Sequence, residues 1–144
     1  MMETNITFSP AEIAQAAQRN AHLFCYANVA YAKAHGLSPH EYWTFIGHQF
    51  AALWEPGQSV QAIACRAARN MVSVGATLQA LSADEFRAEA VMTGWPATDT
   101  AARFGLTQAE ADMVFDIFGP IVASLGCRYQ WQRQGDTIVM TFTR

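Results

Sequence analysis

The sequence predicts an α+β fold: a layer of about four helices packed on a small, largely antiparallel three-stranded sheet ending in a C-terminal β-hairpin. Two features of the chain carry that expectation. Ser or Thr stands three residues before Glu at four places: Ser9 and Glu12, Ser38 and Glu41, Ser82 and Glu85, Thr107 and Glu110. In a capping box the hydroxyl accepts from the N3 amide while the Glu accepts from the cap's own amide, so two orphan donors at a helix start are satisfied together. An apolar residue precedes each cap (Phe8, Leu37, Leu81, Leu106), and three are followed by another at N4 (Ile13, Tyr42, Phe86), as a hydrophobic staple requires. The second feature is the C-terminus, where the apolar period is two rather than 3.6.

In chain order, the first helix is expected over residues 10–35, with Gly36 just past its end. Ile13, Ala17, Phe24, Ala27 and Tyr31 recur there at helical spacing, with Glu12, Gln15, Arg19 and His22 on another side. A second helix over 39–55 is stopped by Pro56 and Gly57. A third is predicted over 59–81, with a stripe of Val60, Ile63, Ala67, Met71, Val74, Leu78 and Leu81 opposing Arg66, Arg69, Asn70, Ser73 and Thr77. Phe86, Ala88, Ala90 and Met92 then alternate with Arg87, Glu89 and Val91, which reads as a half-buried strand and leaves the third capping box at most one helical turn. A loop over 94–99 leads to a short helix capped by Thr98 or Asp99 and ending at Gly105. Thr107 opens the last helix, which Gly119 and Pro120 interrupt because proline removes a hydrogen bond and clashes with the preceding turn. The hairpin follows. Tyr129, Trp131 and Arg133 lead into a turn at Gln134, Gly135 and Asp136, and Ile138, Met140 and Phe142 alternate on the return.

At 144 residues the chain is expected to form a single domain over 1–144. Charged residues are 15% and apolar ones 51%, more apolar surface than a monomer of this size hides, so self-association as a homodimer is expected. A net charge of −3 without a Lys/Arg run offers no field for phosphate backbones, which argues against nucleic acid. Three widely separated cysteines (Cys25, Cys65, Cys127) form neither a disulfide framework nor a zinc knuckle and fit reduced thiols in a cytoplasm. The N-terminal Met-Met-Glu-Thr-Asn lacks the marks of an export signal, and no uncharged stretch approaches the ~20 apolar residues that span a bilayer, so a soluble cytoplasmic protein is expected.

Chemistry is sparsely marked. The second helix, with Tyr42, Trp43, Phe45, Ile46, His48, Phe50 and Trp54, is apolar nearly all round, which places it in the core or between core and a pocket or subunit interface. Gly47 in its middle costs about 1 kcal/mol relative to Ala, a cost that makes sense where a backbone or ligand approaches closely. His48, among those apolar neighbours, is expected as a neutral ring: a general base or ligand contact, or a satisfied core histidine. Cys65 beside Arg66 and Arg69 is either a thiol activated by positive charge or a small helix residue between exposed arginines. His22 and Cys25 stand i, i+3 but lack a third partner, and no metal or cofactor is expected. Asp112 and Asp116 read as a solvated acidic face. Trp95, on a stiff loop, is a lid over a ligand or a plug in the core, and Phe115 and Phe118 add rings where a broken helix opens a cavity. No phosphate-loop, dinucleotide, nucleophile-elbow, zincin or EF-hand pattern occurs.

Gly36-Leu37-Ser38-Pro39-His40-Glu41-Tyr42-Trp43, the following Gly47, the stretch 50–54 and the segment Leu125-Gly126-Cys127-Arg128-Tyr129-Gln130-Trp131 resemble small bacterial proteins near the 2-amino-thiazoline-4-carboxylate hydrolase-like group. The succession of helices and a short sheet is similar to vinyl-reductase-type ligand-binding domains. The resemblance implies a dimer that binds a small hydrophobic molecule; the hydrolase activity is not carried over, because the cysteines and histidines match no catalytic pattern of that group. The expected function is thus a sensor or carrier whose aromatic pocket is lined by Trp43, His48, Trp54, Trp95 and Phe118. The rivals are a small hydrolase using His48 with Cys65 or Arg66, and a structural partner that buries its apolar face in a larger complex.

Overall fold

Three of the four expected capping boxes open helices in the computed structural model, which describes residues 5–144. Met1 to Thr4, part of the segment read for an export signal, lie outside the described residues. Ser9 caps α1 (Pro10–Ala34), Ser38 caps α2 (Pro39–Ala51) and Thr107 caps α5 (Gln108–Asp112), each with both reciprocal bonds formed. The fourth motif does something else. Ser82 and Ala83 end a strand, and Asp84 Oδ1 accepts from the amides of Phe86 and Arg87 at 2.8 and 2.9 Å, closing a hairpin turn instead of a helix.

That strand, β1 (Thr77–Ala83), replaces the last turns expected of the third helix: α3 runs only from Val60 to Ser73. Gly75 at φ +113° lets the chain reverse, and two bonds, Gly75 N to Val72 O and Ala76 N to Met71 O, complete a Schellman end. The same double closure ends α1 at Gly36, α4 (Thr98–Arg103) at Gly105 and α6 (Phe118–Ser124) at Gly126. No side chain caps α4: the cap position is Ala97 rather than the expected Thr98 or Asp99, and its own amide donates to the Tyr26 hydroxyl at 2.9 Å. The break in the last helical stretch falls before Pro120, in a 3-10 turn over Met113–Ile117. Pro120 itself sits in the first turn of α6, where its missing N–H has no intrahelical partner to lose.

Among the described residues the sheet has four strands, not three, in the order β1-β2-β4-β3 with every pair antiparallel. β2 (Arg87–Thr93) pairs with β1 and β4 (Thr137–Thr143), and β3 (Arg128–Gln134) turns back through Gly135 and Asp136 onto β4. One face is buried by alternation: Ala88, Ala90 and Met92 lie in register with Phe142, Met140 and Ile138. Those side chains join Ile63, Ala67, Met71, Phe115 and Ile121 in one core. The α+β architecture is therefore observed, with helices on a small antiparallel sheet that ends in a hairpin. No helix among the described residues is long and apolar enough to cross a membrane.

Two side-chain groups pin the 3-10 segment to the sheet. Arg133 on β3 donates to both oxygens of Asp112 at 2.6 and 2.7 Å and to the Trp95 carbonyl at 2.7 Å. Asp116 accepts from the Trp131 indole and pairs with His40, both at 2.7 Å, while the Tyr129 hydroxyl donates to Phe115 O at 2.8 Å. The two aspartates are thus not the solvated acidic face expected of them: Asp112 is buried and Asp116 half-buried. They tie helix to strand.

The apolar stripe of α1 is oriented against expectation as well. Tyr26, Val29 and Ala32 form its buried face, whereas Ile13, Phe24 and Tyr31 are 54%, 64% and 68% exposed, and every residue from Asn5 to Asn20 is exposed. The N-terminal part of the helix projects past the body, touching it where Gln18 donates to Val72 O at 2.8 Å.

Candidate functional site

Helices α1, α2 and α3 meet the 3-10 turn and α6 around a cleft of about 540 Å³. Its existence follows from how α2 is seated. A Cβ placed on Gly47 would overlap the Ile117 carbonyl oxygen and come within 3.1 Å of Pro120 Cδ, so only glycine lets α2 lie directly on the 3-10 backbone. With that side of α2 pressed home, Tyr42, Trp43, Ile46 and Phe50, at i, i+1, i+4 and i+8, form one wall of the cleft.

The floor is apolar and buried: Trp43, Trp54, Met71, Val114, Phe118 and Ile121. The rim is exposed, with Phe24, Phe50, Asn28, Asn70 and Ser73 around it. Among the described residues no Asp, Glu, Lys, Arg or His lines the cleft. Its two ionisable groups are held neutral: burial pushes the Cys25 thiol up to about 11, and burial likewise raises the Tyr42 phenol, with the neighbouring Cys25 adding and the Asn28 hydrogen bond opposing. One floor residue keeps a polar atom without a partner. The Trp43 indole N–H is buried and has no acceptor, and among the described residues it is the one buried side-chain polar atom in that state.

Trp43, Trp54 and Phe118 line this cleft. His48 and Trp95 do not. His48 is exposed, turned roughly 140° around α2 from Trp43 by the helical repeat of about 100° per residue, so the apolar surroundings expected for it are absent. Trp95 is a plug: it is 3% exposed, its N–H donates to Ala111 O at 3.0 Å, and His22 and Tyr26 pack their rings against it. Cys65 is exposed on α3. Arg66 lays its guanidinium 4.2 Å from the centre of the Trp54 ring and donates to Leu53 O, clamping the connection between α2 and α3. None of the hydrogen bonds among the described residues joins His48 to Cys65 or Arg66. His22, paired with Cys25 by spacing, turns its Nδ1 to Val74 O at 2.9 Å. Among the described residues no group of three or more His, Cys, Asp or Glu is gathered as a metal ion would require.

Sequence reasoning missed Phe24, Cys25, Tyr42, Ile46 and Phe50 as lining residues. The signal was the 42, 46, 50 spacing on one face of α2, hidden because the rest of that helix is apolar too. Two larger concavities, about 840 and 880 Å³, flank the projecting end of α1. The first is bordered mainly by polar and charged side chains such as Glu12, Gln15, Gln18, Arg19 and Asn20, the second chiefly by Ala and Gln, and neither has a buried floor, so the smaller cleft is the stronger ligand site.

The burial pattern sets thiol reactivity. At pH 8 an aromatic disulfide reagent is expected to label Cys65 in a fast phase and Cys25 and Cys127 only slowly, with all three reacting together in denaturant. Fast labelling of Cys25 in the native protein would contradict a closed floor beside it.

Comparison with family models, with curated proteins and with solved structures finds no match for this chain.

Proposed function

We propose that this protein is a small-molecule binding module, a cytoplasmic sensor or carrier working as a homodimer, and that the cleft between α1, α2, α3 and α6 receives the ligand. The single observation that carries the reading is that Trp43, a floor residue of an uncharged aromatic cleft, keeps its indole N–H buried without an acceptor. A donor left in that state costs about 1–3 kcal/mol, and a ligand oxygen that accepts from it recovers that energy once the indole edge tips toward the cleft. The absence of charged groups in the lining selects against ions, because an unpaired charge taken from water into such a site is strongly disfavoured. The ligand is therefore neutral, mainly apolar or aromatic, and carries a hydrogen-bond acceptor at one end.

Titration with 2-acetonaphthone and with 2-ethylnaphthalene, of similar shape but without the carbonyl, tests it. The protein is expected to bind both saturably and the ketone more tightly. Trp43→Phe is expected to remove that preference, about 3- to 10-fold, the net worth of one hydrogen bond. Equal affinity for the two in the unaltered protein would contradict the role given to Trp43; no saturable binding of either would contradict the cleft.

A further inference from the structure

A surface helix ordinarily turns charged groups to water, yet the side of α1 opposite its buried face is apolar. Taking about 100° per residue, Ile13, Ala17, Asn20, Phe24, Ala27 and Tyr31 fall within roughly 40° of one line, and Tyr26 and Val29 lie on the far side. The spacing along that line alternates four and three residues, the repeat that lets one helix track another. Only Glu12, Arg19 and Lys33 carry charge along the 25 residues of the helix. A helix apolar on opposed faces calls for cover on both.

We propose that the cover is a second copy of this chain, paired two-fold and antiparallel through α1. The occupant follows from the stripe's own symmetry. Read in reverse it complements itself: Ile13 falls opposite Phe24 of the second copy, and Ala17 opposite Asn20, so small side chains meet at the axis and large ones close the ends. Asn20, the polar residue near the axis, fixes the register. The area is adequate. In this register residues 10–27 of the two helices overlap over about 27 Å, and Ile13 and Phe24, each more than half exposed, with the small residues and flanking stems between them bring on the order of 600 Å² per copy out of water, the lower end of a stable interface. The exposed N-terminal turns of each helix then lie along the body-bound half of the other. Phe24 belongs to both the seam and the cleft rim, so Ile13 of the second copy stands at the cleft mouth and completes it.

This inference gives the homodimer its surface and does not depend on whether the cleft takes a ligand. The test is mass in solution, by light scattering or sedimentation, with no ligand added. The unaltered chain is expected at twice the mass of one chain, and Ile13→Lys and Phe24→Glu are each expected as monomers. Mixed in equal amounts the two variants are expected to form a heterodimer, because the antiparallel register sets Lys against Glu at one contact and restores Phe24 with Ile13 at the other. Ala17→Glu, at an exposed small residue where misfolding is not at issue, is expected to be monomeric. A monomeric unaltered chain, a dimer that survives Ile13→Lys and Ala17→Glu, or variants that stay monomeric on mixing would each overturn the antiparallel seam. Failure of acetonaphthone binding in a protein that is dimeric would instead count against the ligand reading alone.

Discussion

Asp112→Ala is expected to cost about 3 kcal/mol of stability, read as a shift of the urea midpoint at unchanged slope. Asp112 is 3% exposed and is gripped at both oxygens by Arg133, whose remaining donors reach the Trp95 and Gly135 carbonyls. Removing the carboxylate leaves a guanidinium whose side chain is only 18% exposed without its counter-charge. The Asp112 hydrogen bond raises the Arg133 pKa in the intact pair, and once it is lost the intrinsic basicity of a guanidinium still keeps the arginine from escaping by losing its proton. Replacing both partners, Asp112→Leu with Arg133→Met, is expected to cost less than Asp112→Ala alone, because an apolar pair leaves no orphaned charge. An Asp112→Ala loss below 1 kcal/mol would show that Arg133 simply turns to water, and that the tie between the last helical stretch and the hairpin is incidental.

Gly47→Ala is expected to destabilise by about 2 kcal/mol, lowering Tm by roughly 5–10 °C, although alanine is the better helix former by about 1 kcal/mol. The sign of the effect decides the matter. The new methyl meets the Ile117 carbonyl and Pro120, backbone and a ring that do not swing aside, so α2 has to lift off the 3-10 turn. That movement widens the cleft between Trp43 and Phe118, and acetonaphthone affinity is expected to fall with stability. A stabilised Gly47→Ala would mean that helix propensity governs the site and that the close seating of α2 does not shape the cleft.

What could be read from the sequence was local. A capping box is complete within four residues, so Ser9, Ser38 and Thr107 announced their helices, and the hairpin's alternation and turn were legible for the same reason. Ser82 misled because the same letters serve a turn in which Asp84, not Ser82, takes the free amides. β1 was hidden because Leu78 and Leu81 prolong the spacing of α3, and only the φ of Gly75 and pairing with distant Thr93 and Met92 break it. The burial of Asp112 and Asp116 depends on Arg133 and Trp131, partners that no spacing rule connects to them. Of the five residues expected in an aromatic pocket, Trp43, Trp54 and Phe118 share a cleft while Trp95 plugs the core and His48 faces solvent. Aromatic richness was visible in the sequence, but the side of α2 that closes on the 3-10 turn is chosen by Gly47 and Ile117 together.

The most direct test of the cleft reading is the indole ¹H–¹⁵N spectrum of the protein titrated with 2-acetonaphthone, with the Trp43 resonance assigned by its loss in Trp43→Phe. Trp95 and Trp131 already donate to Ala111 O and Asp116 Oδ1, whereas Trp43 donates to nothing. The Trp43 signal is therefore expected to move downfield and saturate while those two hold still. A Trp43 resonance that stays in place as the ketone binds, or indole signals that all shift alike, would contradict the assignment of the cleft as the ligand site.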